Sequence, residues 1–129
     1  MTDLLRKVIL LLTNILNGPT LQNFRTITAN GTGEVVKAKP GKVYRISAIS
    51  GAASICYVKL YDKATAATAS DTPVATFSLV TAAIGATQVH SFVLPTYFSA
   101  GISVRAVTGF ADNDNTNPGT APIIEIQYV

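Results

Sequence analysis

Very few side chains in this sequence could carry out a reaction, and their spacing does not bring them together. His90 is the single histidine, so any nucleophile–histidine–acid relay would have to use it. It lies in Gln88-Val-His-Ser-Phe92, flanked by Val89 and Val93, and reads as a sheet-surface residue in a strand. Cys56 is the single cysteine, so the chain can form no internal disulfide, and its apolar setting by Ile55 and Val58 predicts a buried, inert thiol. The carboxylates are scattered, without the paired arrangement that glycoside hydrolysis needs. No cysteine and histidine residues stand at zinc-site spacing. Asp112-Asn-Asp-Asn-Thr-Asn117 opens like a calcium loop. Pro118-Gly119 then break the pattern and no closing glutamate follows, which favours a turn held by its own Asx side chains. Gly31 and Gly33 read as hairpin glycines, and Asn30-Gly-Thr32, although a sequon, reads as a turn. The expectation is a chain with no catalytic residue, no cofactor and no metal.

The bulk properties point to one domain with a single core. The chain has 129 residues, 48% of them hydrophobic and only 13% charged. The charged share is about half of the usual ~25%, which suits a surface that packs against neighbours and equally a small Ala- and Thr-rich β domain. Ten Lys and Arg face seven Asp and Glu, for a net charge of +3. That excess is too small to argue for nucleic acid. Lys37, Lys39, Lys42, Arg45, Lys59 and Lys63 are dispersed and read as a solvated face.

Two parts must position whatever the chain does. Residues 1–17 form a contact arm and residues 18–129 a β domain. At about 100° per residue, Leu4, Leu5, Val8, Ile9, Leu11, Leu12, Ile15 and Leu16 share one arc of a helix. Asp3, Arg6, Lys7, Thr13, Asn14 and Asn17 share the other, and Leu10 is out of place. Thr2 or Asp3 can cap the start, and Gly18-Pro19 are stop signals. Arg6-Lys7 ahead of Val8–Leu12 imitates a signal peptide, but no small-x-small cleavage site follows, so the segment is expected to be retained. The apolar run is also far shorter than the ~18 residues of a membrane span.

After Gly18-Pro19, strands are expected over Leu21–Thr28, Gly33–Ala38, Lys42–Ser50, Ser54–Tyr61, Val74–Leu79, Thr87–Leu94, Ile102–Thr108 and Ile123–Tyr128. Tyr44, Ile46 and Ala48 share one face by period-two alternation; so do Ile102, Val104 and Ala106, and Ile124, Ile126 and Tyr128. Turns separate them at Asn30–Gly33, Pro40-Gly41, Ser50-Gly51, Asp71–Pro73 and Asn117–Gly119. Lys63–Ser70 and Phe110–Pro122 read as long loops. The fold class is all-β: an antiparallel two-sheet sandwich, jelly-roll or immunoglobulin-like, preceded by an amphipathic helix.

The β body resembles a family of small phage structural proteins. The resemblance is carried by Val35-Val-Lys-Ala-Lys-Pro-Gly-Lys-Val-Tyr-Arg-Ile46, Tyr57-Val-Lys-Leu-Tyr-Asp-Lys-Ala-Thr65 and Asp71-Thr-Pro-Val74. Phe98-Ser-Ala-Gly-Ile-Ser-Val104 and Ala111-Asp-Asn-Asp114 extend it, so that it spans roughly Val35 to Val129 and leaves out the helix. It implies a β-sandwich virion protein: a capsid decoration or cement protein, or a head-fibre module. The leading expectation is therefore a structural protein on the exterior of a phage capsid, made in the host cytoplasm. Its partners would be the major capsid protein and copies of itself, as a homo-oligomer, with no nucleic acid and no membrane. Leu4, Leu5, Val8, Ile9, Leu12, Ile15 and Leu16 are the expected partner contacts. They would bury either on neighbouring chains or on the sandwich itself. The alternative is a head- or tail-fibre module that binds a host surface glycan through Tyr44, Tyr57, Tyr61, Tyr97 or Tyr128. A weaker one is an interfacial membrane protein, for which Arg6 and Lys7 supply little charge.

Overall fold

In the computed structural model of the chain, residues 2–17, 20–51, 55–79 and 87–129 are described, with side chains described throughout except at 14–17 and 87–94. The expected stop signal Gly18-Pro19, the residue Ser54, and the side chains of Val89, His90, Val93, Ile15 and Leu16 therefore lie outside the description.

Helix α1 (Asp3–Asn17) is followed by strands β1 (Gln22–Thr26), β2 (Glu34–Lys37), β3 (Gly41–Ile49), β4 (Cys56–Asp62), β5 (Ala75–Leu79), β6 (Thr87–Phe98), β7 (Ile102–Val107) and β8 (Ile123–Tyr128). The strands form two four-stranded sheets, ordered β1-β8-β3-β6 and β2-β7-β4-β5. All their pairings are antiparallel. First pairs with last, second with seventh, third with sixth, and fourth with fifth: one long hairpin rolled over so that successive strands change sheet everywhere except at its β4–β5 tip. That order is the jelly roll. The immunoglobulin arrangement, with neighbouring strands kept in one sheet, is not adopted.

The core lies between the sheets and follows the alternation of the strands. Val43, Ile46 and Ala48 of β3 and Ile124 and Ile126 of β8 meet Val58 and Leu60 of β4 and Ile102, Val104 and Ala106 of β7. Phe24, Phe77 and Tyr128 close its margins. One face assignment needs correction. Tyr44 does not join Ile46 and Ala48, because the register slips between Val43 and Arg45, and Val43 takes the buried place. Opposite that slip, Thr96 pairs with Val43 and Ser91 with Arg45, so four residues of β6 oppose Tyr44 alone. Pro95 falls in this bulge on an edge strand, where its missing N–H costs no ladder bond. The bulge carries β6 on to Phe98, past the expected end at Leu94.

Candidate functional site: an exposed apolar arm and a loop-covered cationic face

Helix α1 stands apart from the sandwich. Every residue from Thr2 to Thr13 is exposed, on the apolar arc and on the polar one alike. Of the expected contacts, Leu4 is 73% exposed, Ile9 54% and Leu12 52%, and Leu5 and Val8 about 40%. Leu10 and Leu11 are exposed as well. From Leu4 to Leu12 the structure thus places the apolar side chains along one helix without covering them with the chain's own β domain. Thr13 Oγ1 donates to Ile9 O at 2.8 Å, so even this polar residue turns back onto the helix. No helix among the described residues is long and apolar enough to cross a membrane.

The opposite situation holds on the outer face of the β2-β7-β4-β5 sheet. Val58 and Leu60 point to the core, which leaves Tyr57, Lys59 and Tyr61 pointing outward; Ser103, Arg105 and Val107 do the same on β7. Yet Lys59, Tyr61, Ser103, Arg105 and Val107 are all buried. Residues 27–33, 63–74 and 108–122 fold over this face. The expectation that Lys59 belongs to a solvated face is therefore corrected: three loops cover it.

Arg105 organises those loops. Its Nε donates to Gly31 O at 2.7 Å, one terminal nitrogen to Tyr61 Oη at 2.9 Å, and the other to Asp114 O and Asn115 Oδ1, both at 2.9 Å. Its guanidinium carbon lies 5.8 Å from the Tyr61 ring centre. Lys59, directly opposite Arg105 in the ladder, donates to Ala111 O. Burial pushes the Lys59 pKa down and the neighbouring Arg105 charge pushes it further, while Asp114 and Asp112 oppose the shift.

Asp114, Asn115 and Asn117 of the stretch that imitates a calcium loop are consumed by this arrangement. The Asp114 carboxylate accepts from Gly109 N at 3.0 Å and from Thr116 N and Oγ1 at 3.3 and 3.2 Å. Burial raises its pKa, but these bonds and the Lys59 charge outweigh burial and hold it below the usual carboxylate range. Asn115 Oδ1 faces Arg105, and Asn117 Oδ1 accepts from Gly31 N at 2.9 Å. No cluster of metal-binding side chains occurs among the described residues. Gly31 is more than a hairpin glycine: a Cβ there would stand 2.7 Å from Asn115 Oδ1. Gly33 likewise lets the 63–74 loop close in, with its N–H donating to Ala67 O at 2.9 Å. Asn30 Oδ1 accepts from Thr32 N at 2.7 Å, which makes the sequon an Asx turn.

Two more carboxylates tie two further connections. Asp62 accepts from the backbone of Ala100, Ser99 and Gly101 and from Ser99 Oγ, closing the β6–β7 turn. Asp71 accepts from Lys63 Nζ at 2.7 Å and Thr68 N at 2.8 Å, closing the β4–β5 loop. Cys56 is buried, and burial pushes its thiol up to about 11.

Among the described residues, the aromatic side chains offer no common platform. Tyr61 is buried, and Tyr44, Tyr57 and Tyr128 are half-buried. Tyr97 is exposed on β6, whereas exposed Phe110 packs edge-on against Tyr57 on the other sheet. A shallow depression of about 380 Å³ lies between Thr32, the 66–70 loop and Asn115, with no aromatic wall. No protein-family model, no curated protein and no solved structure matches this chain.

Proposed function

We propose that this chain is a structural virion protein that decorates or cements a phage capsid shell, with α1 as the arm that docks on neighbouring subunits. The observation that carries the reading is the bare apolar arm beside a β domain with a closed core of its own. A contiguous apolar surface of this kind marks an interaction site. The arm would meet the major capsid protein and other copies of this chain on the shell exterior, after synthesis in the host cytoplasm.

The magnitudes favour assembly over a single isolated contact. About half of the surface of Leu4, Leu5, Val8, Ile9 and Leu12 remains to be buried. Completing that burial contributes roughly 4–8 kcal/mol of gross hydrophobic free energy. Association itself costs about 4–15 kcal/mol in lost freedom. One arm on one partner is therefore close to break-even, and many arms on a lattice gain from effective concentration. A fibre module that binds host glycans is the second reading. Exposed Tyr97 and Phe110 are the observations in its favour, but Tyr97 lies on β6 of one sheet and Phe110 in the β7–β8 loop against Tyr57 of the other.

The test is composition and occupancy. Density-purified particles encoded by the same genome are expected to contain the chain in a fixed ratio to the major capsid protein. Undecorated shells are expected to bind the wild-type chain to saturation and to lose the Leu5→Ser, Val8→Ser, Leu12→Ser variant. Absence of the chain from particles removes the virion reading. Full occupancy by the variant removes the arm.

A further inference from the structure

Helix α1 carries a heptad register that identifies its own copies as its partner. Setting Leu5 at position a puts Leu12 at a, Val8 and Ile15 at d, Leu4 and Leu11 at g, and Ile9 and Leu16 at e. Asp3, Arg6, Lys7, Thr13, Asn14 and Asn17 then all fall at b, c and f, the outer positions, with Leu10 alone among them. The two neighbouring registers do worse. Centring the seam on Leu5, Ile9, Leu12 and Leu16 brings Arg6 and Thr13 to its edge and strands Leu4 and Leu11 outside. Centring it on Leu4, Val8, Leu11 and Ile15 brings Lys7 and Asn14 to the edge and strands Ile9 and Leu16.

We propose that α1 assembles with the same helix of other copies into a parallel bundle of three or four, seamed by Leu5, Val8, Leu12 and Ile15. Two features of the register set the number. Leu at a with β-branched residues at d favours trimers and tetramers over pairs in parallel coiled coils. The apolar face is also four positions wide, g-a-d-e, with no charge at e or g. A pair of helices covers only the central seam and leaves the flanks wet, whereas a larger bundle covers them.

Area points the same way. The helix has 15 residues and is about 22 Å long at ~1.5 Å per residue. A two-helix contact about 10 Å wide then covers roughly 200 Å² of each helix, far below the ~800 Å² per partner of a stable interface. Each helix of a larger bundle contacts at least two others and so covers roughly 400 Å² by the same geometry, twice what a pair covers, with the contacts closing on a shared core. The exposure of every residue from Thr2 to Thr13 leaves the helix free of the sandwich and available for this.

This inference rests on reading α1 as a contact arm, and the two can fail separately. The experiment is sedimentation equilibrium on the full-length chain across the micromolar range, with circular dichroism to confirm the β domain of each variant. The wild type is expected at three or four times the 13.5 kDa mass of one chain. The Leu5→Ser, Val8→Ser, Leu12→Ser variant is expected at the mass of one. Exchanging the seam by Leu5→Ile, Val8→Leu, Leu12→Ile and Ile15→Leu is expected to lower the average mass below that of the wild type, because it removes the a and d residues that favour three or four strands. A monomeric wild type overturns the bundle, including one that instead binds lipid vesicles or empty shells through the arm. So does a serine variant that keeps the oligomer, or a seam exchange that leaves the stoichiometry unchanged. A chain that forms the bundle but is absent from particles keeps this inference and removes the virion reading.

Discussion

The helix and the outer face of the β2-β7-β4-β5 sheet invert the usual distribution of residue types. On α1, seven large apolar side chains from Leu4 to Leu12 stand in solvent. On the sheet face, Lys59 and Arg105 are wholly buried, side by side. Water-seeking groups go inside only where the backbone can replace water, and here the carbonyls of Gly31, Ala111 and Asp114 do so. Single apolar side chains in solvent are ordinary, as Ile27 and Val74 are on the β domain, whereas a contiguous apolar face such as that of α1 is the kind that marks interaction sites. Under the proposed function, the comparison separates what this chain completes alone from what it leaves for assembly.

The largest effect is expected at Arg105. Arg105→Met keeps much of the side-chain volume and removes the donors to Gly31 O, Tyr61 Oη, Asp114 O and Asn115 Oδ1. Each buried acceptor left unsatisfied costs about 1–3 kcal/mol. Urea unfolding is expected to show a loss of about 3 kcal/mol or more, with hydrogen exchange accelerated in residues 30–33 and 109–117. A loss below about 1 kcal/mol would mean that the loops hold themselves, since that is less than a single unsatisfied bond should cost.

Acid acts on the same loops more gradually. Hydrogen bonds from Ala100 first, and from Ser99 and Gly101, hold the Asp62 pKa down against burial. Lys63 first, and then Thr68, do so for Asp71. In Asp114 the Gly109 and Thr116 bonds together with Lys59 outweigh burial. All three folded-state values lie below the unfolded ones, so the unfolded chain binds protons first as pH falls. Their stabilisation is complete above about pH 5 and is lost as pH drops below about 4 and through the folded values. Thermal melts from pH 6 to pH 2 check this. A melting temperature that stays flat, or rises, below pH 4 would contradict it.

Cys56 reports on the closed body without disturbing it. With its thiol pushed up to about 11, the folded chain at pH 8 holds far less thiolate than the unfolded chain. Labelling by a thiol reagent is expected to be about 100-fold slower in the folded state, the ratio that two pKa units give. Equal rates would show that the sheet end around Ser50, Cys56 and Leu79 opens readily.

The sequence reveals these two regions unequally. All eight strands and the helix are visible in it, because period two, period 3.6 and the turn residues act locally. The order of the strands is not, since it depends on which distant segments pair. The extension of β6 past Pro95 is hidden for a related reason: proline argues against a strand unless the edge position is known. The apolar arc of α1 is legible residue by residue, whereas its lack of cover on the sandwich is a tertiary fact. Lys59 and Arg105 mislead most. Their alternation with core residues on β4 and β7 places them on the outer face, which usually means solvent. A clue was present in Tyr57, Lys59 and Tyr61 sharing that face, next to the long Asn- and Asp-rich segment 110–122 that covers it.

The central claim, that the arm serves partners and not its own domain, is tested most directly by melting. The wild type and the Leu5→Ser, Val8→Ser, Leu12→Ser variant should be compared at a concentration dilute enough for both to be monomeric, because assembly raises the apparent stability of the wild type. The account predicts that the two β domains melt cooperatively at the same temperature. A drop of several degrees in the variant would mean that the apolar face of α1 packs on its own sandwich, and would contradict it.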